Sequence, residues 1–139
     1  MAQRPVELIL ARQLASSLAV PVLLVDAGGD TLFFNEPAEL IFGRRFDEIE
    51  SLAFEERTRM LAPRRADGGP LPVEELPGVV AMRNHRPAHA AFHIHGFDGA
   101  LRPVAATAIP LENANGDVLG ALVVLWSNPD LPALSPAAT

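Results

Sequence analysis

The run "VLGALVVLW" at residues 118–126 is apolar at every position except Gly120. Side chains alternate along a strand, so Leu122 and Val124 point one way and Val123 and Leu125 the other. A strand that is apolar on both faces belongs to a sheet covered on both sides. The rest of the chain, or a second copy of it, must supply that cover, which makes an α+β layered fold the expectation.

Residues 5–19, "PVELILARQLASSLA", are expected to form a helix, because Pro5 suits a first helical position and Val6, Leu10, Leu14 and Leu18 recur at helical spacing. Leu8, Ala11 and Ala15 widen the apolar arc, with Arg12, Gln13, Ser16 and Ser17 opposite. Such a helix can cover a sheet, pair with its own copy, or do both. "PVLLVD" and "TLFFN" read as strands joined through "AGGD", where Gly28 and Gly29 supply the positive φ angles of a tight hairpin and Asp26 accepts within the turn. Asn35 fits the N-cap of a helix that tolerates Pro37 in its first turn and ends at Gly43.

Residues 46–62 are expected to form one further helix, capped by Asp47, with Ile49, Leu52, Ala53, Met60 and Leu61 inward. "PRRADGGPLP" is a loop, and residues 73–85 a helix that Pro77 distorts or delays. Residues 87–95, 100–111 and 118–126 read as three antiparallel strands, broken at "GFDG" and "ENANGD". The Pro-rich residues 128–139 are expected to be a flexible tail.

What the chain can do is narrowed by what it lacks. Its 139 residues make one domain with one core. No apolar run approaches the roughly 18 residues of a membrane span, and "MAQRPVELIL" has no apolar signal core, so a cytoplasmic protein with no membrane partner is expected. The absence of Cys excludes disulfides, thiolate metal sites, cysteine nucleophiles and cysteinyl photochemistry. A net charge of −6, from 17 acidic against 11 basic residues, repels a phosphate backbone. The basic patches at 43–45 and 63–65 carry no interleaved aromatic rings, so no nucleic-acid partner is expected.

The histidines are the side chains that invite a chemical reading. His89, His93 and His95 share one face of their strand, and Ala90, Phe92 and Ile94 the other. A metal site there would need a further His or Glu close by, so no metal is assigned and the stripe is expected to be polar or partner-facing. No Ser or Cys nucleophile stands in a recognisable elbow, and paired carboxylates are missing from the expected pocket side. No catalytic residue is assigned and the chain is expected not to be an enzyme; Asp98 in "FDG" serves a hairpin.

Two strands, a run of short helices and a three-stranded meander is the element order of PAS domains. "PVLLVDAGGDTLFFNEPAELIFG" resembles the PAS opening, in which an apolar strand ends in Asp, a Gly turn follows, and Asn begins a helix that runs to Gly. "DGGPLPVEELPGVVAMRN" is similar to the segment before and through the long PAS helix, with Asp67, Gly68, Pro72, Glu75 and Pro77 in place. "GFDGALRPVAATAIPLENANGDVLGALVVLW" resembles the closing meander, with Asp98, Gly99, Pro110, Gly116 and Gly120 in step.

The resemblance covers residues 20–126. It implies a PAS fold of the bacterial sensor type: a five-stranded antiparallel sheet with short helices on one face and a pocket between them. Residues 1–19 are then an N-terminal flanking helix, 20–127 the PAS domain and 128–139 the tail. The function implied is a non-catalytic sensory or signal-transduction module. It would work as a homodimer, through residues 5–19 and the outer sheet face, on a separate effector protein. A separate effector chain is expected, because "LWSNPDLPALSP" replaces the usual Asp-Ile-Thr ending with prolines that forbid a continuous output helix, and no glycine-rich nucleotide loop, phosphorylatable catalytic motif or DNA-binding helix pair is found in the sequence.

The expected pocket wall is Phe33, Leu40, Ile41, Met60, Leu76, Val80, Phe92, Ile94, Ala106, Ala108, Leu122 and Val124. Such a wall suits a filled core or a small hydrophobic ligand. No cofactor is assigned. Haem, the alternative, needs an axial ligand from the long helix or the wall, and His85 stands only at the end of that helix. The flavin chemistry of the light-sensing branch lacks its Cys.

Overall fold

The computed structural model describes residues 5–49, 52–128 and 131. In chain order the elements are α1 (Val6–Ser17), β1 (Val22–Asp26), β2 (Thr31–Phe34), α2 (Glu36–Phe42), α3 (Phe46–Ile49), α4 (Phe54–Leu61), a 3-10 turn (Val73–Glu75), α5 (Pro77–Asn84), β3 (Ala88–His95), β4 (Leu101–Glu112) and β5 (Val118–Ser127). The strands form one sheet in the order β2-β1-β5-β4-β3, antiparallel throughout. The doubly apolar β5 thus lies at the centre, and the chain itself covers both of its faces. On the inner face Leu23, Val25, Phe34, Val123 and Leu125 share a core with Ala38, Ile41 and Phe42 of α2 and Ala81 of α5. On the outer face Leu24 and Leu32 lie under Leu8 of α1, with Leu111, Leu119 and Leu122 alongside.

The wide apolar arc of α1 divides between two surroundings. Leu8 and Ala15 are buried on the sheet, whereas Val6, Leu10 and Leu14 are more than half exposed, at 61%, 57% and 56%. Arg12 belongs to the sheet side, contrary to expectation, because its guanidinium stacks 4.8 Å from the centre of the Phe33 ring. The aromatic face accepts the guanidinium and the sheet its stem, which explains why a charged residue that stays exposed can lie over this side.

The single helix expected over 46–62 is two, α3 and α4. The chain returns to the β1–β2 hairpin between them: Thr31 N donates to Leu52 O at 2.9 Å, and Phe54 N donates to Asp30 Oδ1 at 2.7 Å. Asp30 therefore holds the start of α4, while Asp47, expected to be a cap, pairs with Arg45 inside the first turn of α3. Ala53, expected inward, is exposed. In the hairpin only Gly29 of the two glycines has a positive φ, 86°, and Asp26 Oδ1 accepts from Gly28 N and Asp30 N as a turn acceptor should. Pro77 delays its helix: a 3-10 turn precedes it, and α5 begins at the proline. The tail expected over 128–139 falls almost wholly outside the described residues; Asn128 N still donates to Pro103 O at 3.0 Å. Among the described residues no helix is long and apolar enough to cross a membrane.

Candidate functional site

Between the inner sheet face and the helices lies a half-open cavity of about 340 Å³. Its floor is Leu23 and Val25 of β1, Val123 and Leu125 of β5, Ala106 of β4, and Phe92 and Ile94 of β3. Phe54 and Leu61 of α4, Leu76, and Val79 and Met82 of α5 close it from above. The room comes from small residues: Ala106 stands on the floor where larger residues flank it, and Gly78, in the first turn of α5, would place a Cβ no nearer than 4.0 Å to Val123.

Four residues of the expected wall line this cavity, namely Leu76, Phe92, Ile94 and Ala106. Ile41 and Ala108 belong to the closed core beside it. Phe33 and Leu122 lie on the opposite sheet face, in the cluster under α1, and Val124 shares that face with Leu122. Val123 and Leu125 are the inward residues of β5, so the sequence assigned the two faces of this strand in reverse. Leu40 is 80% exposed at a groove between the end of α1 and α2. Met60 and Val80 are half-buried and off the wall.

The polar end of the cavity was missed. Gly28, Gly29, Arg57 and Thr58 form it. Once α4 is known to start at Phe54, the spacing of Phe54, Arg57, Thr58 and Leu61 places all four on one helical face, and that spacing was the available signal. Arg57 is only 9% exposed. Its Nη1 donates to Gly29 O at 2.6 Å and to Thr31 Oγ1 at 2.8 Å, and its guanidinium lies 5.5 Å from the centre of the Phe54 ring. Burial pushes its pKa down to about 10, against the opposing pull of Asp30 and Asp26, so it is a cation at neutral pH.

The histidines are not a uniform stripe. His89 is exposed, with Nδ1 at 2.9 Å from Thr107 Oγ1 and its ring stacked 5.9 Å from Trp126. His93 is fully buried, which corrects the expectation of a polar or partner-facing surface along this face. Its backbone explains part of that: Arg64 crosses the free edge of β3 and exchanges two hydrogen bonds with His93, at 2.8 and 2.9 Å. His85 ends α5 with a φ of 55°, its Nδ1 3.3 Å from Glu112 Oε1, and is not on the cavity wall. Among the described residues no group of three or more His, Asp or Glu could hold a metal ion. Of the side chains that serve as axial haem ligands, the wall offers Met82 alone among the described residues.

Asp98 does hairpin work. It accepts from Ala100 N at 3.1 Å and pairs with Arg102 through bonds of 2.9 and 2.7 Å, and the guanidinium holds its carboxyl well below the usual carboxylate range. Phe97 N also donates to Phe42 O at 2.6 Å, which ties the β3–β4 turn to the end of α2.

A five-stranded antiparallel sheet with helices around an apolar cavity on one face, and a further helix on the other, is the arrangement of a PAS fold. The chain belongs to the PAS fold family, whose model matches residues 15–127. No curated protein matches it in sequence. Among solved structures it is similar to the PAS domain of a protein from Colwellia psychrerythraea, at 12% identity and a TM-score of 0.63, covering 88% of this chain and 98% of that one. It is also similar to the PAS domain of nitrogen regulation protein NR(II) from Vibrio parahaemolyticus, at 15% identity and 0.60, covering 86% and 98%. The Rhodobacter sphaeroides LOV protein matches at 15% identity and 0.68, covering 95% of this chain and 73% of that one. At these identities the likeness is one of fold. The family match makes the chain a sensing and signalling module.

Proposed function

We propose that the chain is a non-catalytic receptor that takes a small, largely apolar molecule into the cavity and passes its occupancy to a separate effector protein. The open cavity of about 340 Å³ carries this reading, since close-packed interiors leave few voids larger than a water. Small-molecule sites run from about 300 to 1,000 Å³, so the ligand is of modest size. Native mass spectrometry of freshly purified protein is expected to show a bound small molecule, or a bare chain that gains one from an apolar ligand panel. Ala106→Phe, which fills the floor, is expected to abolish uptake while changing stability by no more than about 1–2 kcal/mol. A bare mass with no panel member bound or stabilising would overturn the reading.

A second observation supports homodimerisation. Val6, Leu10 and Leu14 of α1 point away from the sheet, and the described part of this helix carries only Glu7 and Arg12 as charges, so a second copy meets the same stripe without like-charge conflict. Sedimentation of the wild-type chain should give a dimer, and Leu10→Glu with Leu14→Glu a folded monomer. A wild-type monomer, or a double variant that remains dimeric, removes α1 as the dimer element.

A further inference from the structure

We propose that the cavity selects a carboxylate-headed apolar molecule, an alkanoic or arylalkanoic monoacid, with its head group at Arg57. The proposal rests on the reading of the cavity as a ligand site and names the chemistry it takes. Arg57 and Thr58 are the polar side chains of a wall that is otherwise Leu, Val, Ile, Phe, Met, Ala, Pro and Gly among the described residues. Arg57 is nine-tenths buried, yet no carboxylate lies within ion-pair distance of it among the described residues. Asp26 and Asp30 act on it from further away, occupied by the hairpin amides and by Phe54 N. Buried charges are normally paired and hydrogen-bonded, because desolvation otherwise costs more than the fold gains.

The hydrogen bonds of Arg57 use Nη1 alone. Nε and Nη2 have no protein acceptor among the described residues, and together they form the edge of a guanidinium that receives the two oxygens of a carboxylate side by side. Thr58 Oγ1, next to it on the wall, likewise makes no side-chain hydrogen bond among the described residues and can donate to the same head group. One guanidinium partly offset by Asp26 and Asp30 favours a single negative charge over the two of a phosphate monoester. The apolar floor and roof then require a hydrocarbon body, since a free inorganic anion would leave them against empty space.

Titration calorimetry of the full chain with octanoate, decanoate and dodecanoate, each beside its alcohol and methyl ester, tests this. Decanoate is expected to bind about 10–100-fold tighter than decanol or methyl decanoate, the worth of a charge-assisted hydrogen bond. Each added methylene should tighten binding roughly fourfold until the cavity is full. Carbon-13 NMR of carboxyl-labelled decanoate should show the bound acid staying ionised to lower pH than the free acid. Arg57→Met should erase the preference for the acid, so that decanoate binds no tighter than decanol. Since Arg57 also pins the hairpin, the NMR titration of the wild-type chain decides the matter even where that variant does not fold. Equal binding of acid, alcohol and ester, or a bound carboxyl that titrates at or above its free value, overturns the head-group assignment and leaves the cavity reading standing. No binding of any series member overturns the head-group assignment and leaves the cavity reading to the apolar panel, whereas binding that survives Ala106→Phe overturns both.

Discussion

Asn35→Ala is expected to lower the unfolding free energy by about 3–5 kcal/mol, and the thermal midpoint by about 10–20 °C. A helix cap alone is worth about 1 kcal/mol, and Asn35 is a cap: its Oδ1 accepts from Ala38 N at 3.2 Å. The same oxygen also accepts from Val22 N at 2.9 Å, while Nδ2 donates to Ala15 O at 2.9 Å and Val20 O at 2.8 Å, with Leu18 O at 3.5 Å. One side chain, 1% exposed, therefore joins the end of α1, the link that follows it, the start of β1 and the start of α2. Alanine leaves these buried backbone groups without partners, and the cost of unsatisfied groups adds to the lost cap. The amides at the end of α1 should exchange faster than those of β5. A measured loss near 1 kcal/mol would reduce Asn35 to an ordinary cap.

Asn35→Asp separates the two roles. The aspartate keeps the two acceptor contacts to Val22 N and Ala38 N but turns an oxygen toward carbonyls where Nδ2 stood. Burial and those carbonyls raise its folded pKa above the unfolded value of about 3.9, so the folded state binds the extra proton. Stability gained by protonation is present below the unfolded pKa and lost as pH rises through the folded one. The variant should thus be more stable near pH 4 than near pH 7 relative to wild type, whereas Asn35→Ala should show no such difference.

The sequence made the order of elements legible because turn and cap residues act locally. Asp26, Asn35, Gly43 and Pro77 each do what their residue type suggests within a few positions. The joining role of Asn35 was hidden because Ala15 and Val20 meet it only after α1 folds back on the sheet. The cavity wall failed for a different reason. Glu112 pairs with Val118 across the β4–β5 turn, and that register continued unbroken would set Ala108 against Leu122 and Ala106 against Val124, the grouping expected from sequence. A bulge between Leu111 and Glu112 shifts the pairing by one, so Ala108 faces Val123 and Ala106 faces Leu125. One extra residue exchanges the faces of β5, and apolar alternation gives no sign of it in a strand that is apolar on both sides.

Gly120 lies just beyond that bulge, and Gly120→Ala is expected to cost about 2–4 kcal/mol. The residue pairs with Leu111 on one side and Asp26 on the other. A Cβ there would run into the Val25 carbonyl oxygen, with Val25 C and Asp26 Cα both at 3.2 Å. These are backbone atoms of a central strand, so relief requires moving β1 rather than turning a side chain. Gly99→Ala is the control: Gly99 has a φ of 86° but nothing within 4 Å of its would-be Cβ, so conformational strain alone applies, at about 1–2 kcal/mol. Denaturant unfolding of both variants should place Gly120→Ala below Gly99→Ala, and the reverse order would mean that β1 and β5 separate cheaply. The two strands supply Leu23, Val25, Val123 and Leu125 to the cavity floor. Forcing them apart should therefore weaken ligand uptake as well as stability in Gly120→Ala, while Gly99→Ala, at the far β3–β4 turn, loses stability alone.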